Sequence, residues 1–543
     1  MSRIGLLSIS VTASLILASA PSWAGLGNDN APKGGAVSIN IGGEPTTLNP
    51  MNSTDEYAGI VQLYVLDSLA VHRDDTYDWE PALASSWKVS KDGKEFVFKI
   101  RPGVKWQDGQ PLTADDVKFS FDVIFDSHYD TAQVRPYYEG IDKVEVVDPT
   151  TVKVTTKTKY FANFESIALM AIVPKHIYGD FEKGPKINQQ LIGSGPYLLD
   201  KYEKGKRIVL KRNPDWWGWN VDYFKGQYNP EPISLKFVKE ETVALEMLKK
   251  GDLDYNAMEP DTYVERAVGP EWGKTVIKVK AENIAPKGYG YVGWNLKNPF
   301  FADQKVRMAL WHLMNRKLMN QKFRHGMSLL ATGPWYRQSE YASKKVKEVD
   351  FDPKAANELL KEAGWTDADH TGILSKVING QKTEFRFTLV IPTQEYMKYM
   401  TLYKEDLKKA GIDMEIKYVE WNSFMKLIDE RKYDAAMLGW GAGTVDGDPK
   451  QIWHTDSIAN AGSNFVSYSN PEVDKLIDQI RETLDKKKRI PLMQKVYEII
   501  AADAPYAFLF NDQYILYGTT ARVKRPKDTM KYDGIRHYIW IAQ

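Results

Sequence analysis

From Gly34 to Val419 the chain alternates between strand-like and helix-like segments with no fixed internal period, and this alternation limits the folds open to it. Gly34–Ile41 reads as an opening strand that stops at Gly42-Gly43. Val144–Val147 and Thr151–Thr155 form a hairpin around Asp148-Pro149. Ile208–Arg212 and Ile233–Val238 read as strands on either side of an aromatic loop, Trp216-Trp217-Gly218-Trp219. Glu240–Lys250 carries apolar residues at helical spacing, Val243, Leu245, Met247 and Leu248, and stops at Gly251. A helix over Pro353–Ala363 ends at Gly364, and a strand comes next at Phe385–Ile391. Tyr396–Ala410 is a helix closed by Gly411, and Met414–Val419 is a further strand. Such an order predicts an α/β or α+β protein whose sheets are covered by helices.

One segment, Leu83–Ser120, is more detailed. Ser90-Lys91-Asp92-Gly93-Lys94 supplies turn chemistry between two alternating runs, Ser86–Val89 and Glu95–Ile100. Pro102-Gly103 and Asp108-Gly109 break the chain after the second run. Thr113 then caps a helix with Asp116 three residues on, an acidic variant of the capping box. Nothing in the segment is chemically reactive.

The N-terminus reads as an export signal. Arg3 is the charged n-region, Leu6–Ala20 the apolar core, and Ser22-Trp23-Ala24 a small-x-small site that predicts cleavage after Ala24. The core is short for a membrane span, so no membrane insertion is expected after cleavage. Seventy-two basic residues balance 71 acidic ones, which argues against a polybasic partner for nucleic acid. There is no cysteine, hence no disulfide, thiolate metal site, cysteine nucleophile or lipid-attachment cysteine. An exported, unanchored chain fits the periplasm.

Catalytic and cofactor motifs are missing. Gly288, Gly290 and Gly293 match G-x-G-x-x-G, but Trp294-Asn295-Leu296 and Pro299 come directly after, which prolongs a strand and then turns instead of opening a helix. There is no G-x-x-x-x-G-K-[ST], H-E-x-x-H or G-x-S-x-G. The eight histidines are scattered, and His454 reads as a structural hydrogen-bonder. No enzyme, cofactor or metal is expected.

Several pieces together carry a resemblance. Glu44-Pro45-x-x-Leu48-Asn49-Pro50, the Leu83–Ser120 segment, Gly193-Ser194-Gly195-Pro196-Tyr197, and Lys211-Arg212-Asn213-Pro214 with Trp217 occur in order. Gly293-Trp294-Asn295, Pro299-Phe300, Asp303, Val306-Arg307, Ala309 and Asn315-Arg316 come next. Asn470–Ile477 and Asp503-Ala504-Pro505 close the series. In this order they resemble the family 5 extracellular solute-binding proteins, the peptide-binding components of bacterial ABC importers. The resemblance implies an α/β fold of two lobes joined by a hinge, with an additional third domain. Lobe I would be 25–72, 193–288 and 505–543, after a signal peptide at 1–24. The extra domain would be 73–192 and lobe II 289–504.

The same resemblance supplies a site. In Leu438–Pro449, small residues surround one tryptophan and two carboxylates. In peptide-binding relatives the corresponding loop's first aspartate meets the peptide's α-amino group. Asp446 would take that role here, with Trp440 and Gly441 lining the path and Asp448 the alternative. Trp294, Trp421 and Tyr396 are expected to line the cleft, with Glu44 from the opening loop. A monomer is implied that delivers a peptide ligand to an inner-membrane ABC permease. An oligosaccharide on the same scaffold is the first rival, nickel a weaker one, and an exported hydrolase the rival of another class.

Overall fold

The computed structural model describes residues 26–53, 56–131, 134–282, 284–441, 443–459, 462–529, 531 and 536–542. The expected signal peptide lies outside them. Three sheets organise the chain. The largest has seven strands in the order Val276–Glu282, Tyr514–Thr520, Tyr255–Ala257, Val37–Asn40, Ile233–Lys236, Arg207–Arg212 and Tyr197–Glu203. Val37–Asn40 runs parallel to both of its neighbours, in register Val37 to Ile233 and Ile39 to Tyr255, and the remaining pairs are antiparallel. Val37, Ile208, Leu210 and Leu235 are fully buried beneath it. Each such side chain contributes roughly 1.5–3 kcal/mol of burial free energy.

A four-stranded antiparallel sheet is built from Ala84–Val89, Glu95–Ile100, Thr151–Thr156 and Ile141–Asp148. The turn at Ser90–Lys94 forms as the sequence predicts. Gly93 takes a left-handed φ of 71° and its N–H donates to the Ser90 carbonyl at 2.9 Å. Alternation then sends Phe96, Phe98 and Ile100 inward against helix Ala114–Asp122. At that helix's start the Thr113 N–H donates to the Asp116 carboxylate at 2.9 Å, so the acidic residue closes the cap.

The third sheet has five strands, in the order Asp413–Tyr418, Arg386–Ile391, Ala435–Trp440, Tyr289–Trp294 and Tyr506–Phe508. Arg386–Ile391 is parallel to both neighbours, as helical crossovers allow, and Tyr289–Trp294 is antiparallel to both of its own. The G-x-G-x-x-G glycines therefore sit along a strand and at its start, with no helix N-terminus to cradle phosphate.

The chain crosses between the seven- and five-stranded sheets side by side, after Glu282 and before Tyr514. One expected boundary is corrected here. The first lobe does not resume at 505, because Tyr506–Phe508 pairs with Tyr289–Trp294 and Phe510–Asp512 pairs with Ser328–Leu330. Only from Tyr514 does the chain rejoin the seven-stranded sheet.

The Gly-Ser-Gly-Pro-Tyr turn has a packing reason. A Cβ on Gly193 would lie 1.9 Å from the Val65 carbonyl oxygen, at the end of helix Glu56–Val65. Ser194 Oγ and Trp217 Nε1 both donate to Asp67, at 2.9 and 2.8 Å. Burial nonetheless pushes the Asp67 carboxyl up to about 6, since those hydrogen bonds only partly offset its lost hydration.

Candidate ligand cleft

Strand Ala435–Trp440 delivers the glycine-rich loop to the contact between the five-stranded unit and the segment after the four-stranded sheet. Gly439 and Gly441 are exposed, and an added Cβ at Gly441 or Gly443 would meet nothing within 4 Å. Backbone at these two glycines is open to approach. Gly288 is the opposite: its Cβ would lie 2.3 Å from the Trp440 carbonyl oxygen, so only glycine lets the neighbouring strand start so close. Trp440 is half-buried, with its ring stacked on Phe465 at 5.6 Å.

Both loop carboxylates are already engaged by the protein. Asp446 pairs with Arg489 at 2.9 Å and Lys486 at 3.2 Å, and also accepts from the Tyr341 hydroxyl. Helix Lys486–Asp503 supplies both cations. Arg489 is 3% exposed, donates to the carbonyls of Thr483 and Leu484, and stacks over Phe161 at 4.2 Å. Asp448 accepts from Arg481, from the Tyr160 hydroxyl at 2.7 Å and from the Lys450 N–H at 2.9 Å. Phe161 N–H also donates to the Arg481 carbonyl at 2.9 Å, so the segment after the four-stranded sheet is pinned to the five-stranded unit.

Glu165 differs from both. It stands on helix Asn163–Ala168, 4.0 Å from His72 Nε2, and takes a hydrogen bond from the Thr444 side chain. Among the described residues no lysine or arginine lies within 4 Å of it. Burial, and then the nearby charge of Asp446, push its carboxyl up to about 7. Burial lowers the His72 imidazole in turn. A proton or an incoming cation is therefore the natural partner of Glu165.

The remaining expected residues scatter. Trp294 is fully buried, stacked on Phe301 at 5.4 Å inside the core of the five-stranded unit, so it has no surface to offer a ligand. That expectation is corrected. The strand is covered on both faces, so consecutive residues from Tyr291 to Trp294 are all buried. Trp421 is half exposed at the start of helix Trp421–Asp429, and its ring lies over Phe424. Tyr396 is half-buried against the five-stranded core, and the charges of Arg324 and Glu259 reach it. Glu44 accepts from the Tyr202 hydroxyl and the Gly205 N–H, both at 3.0 Å, which ties the opening loop to a hairpin of its own sheet. At the crossings lies a cavity of about 350 Å³, lined by Met258, Glu259, Lys287, Arg324 and Tyr514 among others.

Residues 78–461 match the family model described as bacterial extracellular solute-binding proteins, family 5 middle. The chain belongs to this family. The oligopeptide-binding protein AppA of Bacillus subtilis is 31% identical over 498 residues, spanning 88% of this chain and 86% of AppA. The structure of that AppA in complex with a nonapeptide superposes with a TM-score of 0.76 at 28% identity, covering 94% of this chain and all of AppA (100%). NikZ from Campylobacter jejuni, solved in complex with Ni(L-His), shares the fold with a TM-score of 0.76 at 23% identity, over 93% of this chain and 99% of its own.

A family 5 protein binds solute and is not an enzyme. The α/β multi-sheet fold matches the AppA structure. No helix among the described residues is long and apolar enough to cross a membrane. Sequence reasoning missed Glu165 and His72. Neither belongs to a motif, and the contact with Thr444 joins segments far apart in the chain. The one local signal was the exposed glycine loop itself, which needs a partner surface.

Proposed function

We propose that this family 5 protein captures peptides between its seven- and five-stranded sheets and hands them to an inner-membrane ABC permease. It would act as a monomer in the periplasm, after cleavage at Ala24. The likeness to a nonapeptide-bound AppA, at 28% identity over 94% of this chain, is the observation that carries the reading. The site agrees with it in two ways. Gly441 and Gly443 leave backbone open, so an extended peptide can pair main chain to main chain with little demand on its side chains. The acid for the ligand's amino end is Glu165, with Asp446 behind it. Asp446 alone, already held by Arg489 and Lys486, is a poor counter-ion for a further cation.

The pairing confers selectivity through its asymmetry. A charge-assisted hydrogen bond from an ammonium to Glu165 replaces the proton that burial otherwise keeps there. A blocked amino end leaves the carboxyl protonated and contributes no such bond. Calorimetric titration of ligand-stripped protein with a mixture of nonapeptides tests this, beside the amino-acetylated mixture and a linear glucose oligosaccharide. Free peptides should bind at least tenfold more tightly than acetylated ones, with no heat from the sugar. Saturable sugar binding with none by peptide would overturn the reading.

A further inference from the structure

Away from the glycine loop, a second group of side chains joins the two larger sheet units. Thr262–Arg266 is a single π-helical turn after strand Tyr255–Ala257, closed by the Ala267 N–H on the Thr262 carbonyl at 2.8 Å. Asp261 caps its start and Glu265 lies within it, about one turn on. His325 comes from the other unit, at the end of helix Arg316–Arg324, where Met319 enters the five-stranded core. Its Nε2 lies 3.1 Å from Asp261 Oδ1 and 3.8 Å from Glu265 Oε1. The three donor atoms all fall within 4.8 Å of one another.

We propose that Asp261, Glu265 and His325 form a three-ligand site for a divalent transition-metal ion, zinc foremost, that ties the two sheet units together. Donors bound at about 2.1 Å to one ion stand roughly 3.0–3.4 Å apart at tetrahedral or octahedral angles. Nε2 and Oδ1 are already at that spacing, and Glu265, exposed, needs only a small rotation. The charge agrees. Among the described residues neither carboxylate has a lysine or arginine within 4 Å; the nearby Arg324 is committed to Asp512 and Lys278 to the Tyr263 carbonyl. Two carboxylates facing one imidazole match the two positive charges of such an ion. The imidazole favours zinc, cobalt or nickel over calcium and magnesium, which prefer all-oxygen sets. A solvent molecule would complete the shell on the exposed side. Because its ligands come from both units, the ion binds only while they are apposed, and by linkage it favours that arrangement.

The test is zinc titration of metal-stripped full-length protein by calorimetry, with calcium as the comparison cation, and small-angle scattering before and after. Wild type should bind one zinc per chain, ignore calcium at the same concentration, and become more compact. His325→Asn, a residue that tolerates the left-handed φ of 51° found there, should weaken zinc at least tenfold with circular dichroism unchanged. Asp261→Asn with Glu265→Gln provides the same readout should the histidine variant not fold. Absence of saturable zinc binding, or full affinity in both variants, overturns the site. Binding without compaction overturns its bridging role.

Discussion

Two parts of the molecule, the glycine loop and the cluster at Asp261, treat acid in opposite ways. Beside the glycine loop, Asp446 and Asp448 are matched by Lys486, Arg489 and Arg481, each buried or half-buried. Near the crossings, Asp261 and Glu265 face one imidazole; Glu165, on the other side of the glycine loop, likewise has no lysine or arginine within 4 Å among the described residues and feels Arg489 and Lys486 only at longer range. The matched pairs act as pins: partners come from the same chain, desolvation is offset on the spot, and nothing external is required. The unmatched acids keep an electrostatic demand that the protein meets only in part. A chain that must hold and release a solute needs both kinds, and here they occupy different residues.

Removing a pin should have the largest effect. Arg489→Ala leaves Asp446 and two carbonyls short of a donor in a buried setting, and should cost roughly 3–5 kcal/mol, read as a lower urea midpoint. An unchanged midpoint would erase the contrast between the two parts.

The unmatched acid should show itself through pH. Glu165 is raised from its ordinary 4.5 to about 7, so the folded chain keeps a proton that the unfolded chain has lost. The stabilisation is fully present below about pH 4.5 and disappears as pH rises through 7, on the order of 3 kcal/mol in all. Melting temperature of ligand-free protein should fall between pH 5 and 8, and Glu165→Gln should remove much of that slope. Asp67 titrates in the same window, so the difference between wild type and variant is the readout.

The glycines sharpen the comparison with smaller changes. Gly288→Ala forces a Cβ onto the Trp440 carbonyl and should destabilise by about 1–3 kcal/mol in thermal unfolding. Gly441→Ala points into open space and should leave stability within about 0.5 kcal/mol, while peptide affinity falls several-fold. Unaltered peptide affinity in the second variant would remove Gly441 from the path.

Local chemistry was readable in advance. Gly93, Gly251 and Gly411 all adopt the left-handed φ that ends their turn or helix, and Asp116 closes its cap, because each needs only neighbours in sequence. The alternation of Glu95–Ile100 likewise placed its buried face correctly. What escaped depends on distance along the chain. Lys486 and Arg489 belong to no motif, yet both turn onto Asp446, Arg489 across 43 residues of sequence. His325 and Asp261 are 64 residues apart and fit no metal-ligand spacing. Trp294 was expected to line the cleft, whereas it lies on a strand covered on both faces, where Tyr291 to Trp294 are all buried.

Native mass spectrometry of the protein purified from its own exported compartment tests the peptide assignment most directly. A heterogeneous ladder of short peptides should leave with the protein, and be depleted in Glu165→Gln. A single sugar or metal-chelate mass in place of that ladder would contradict the account.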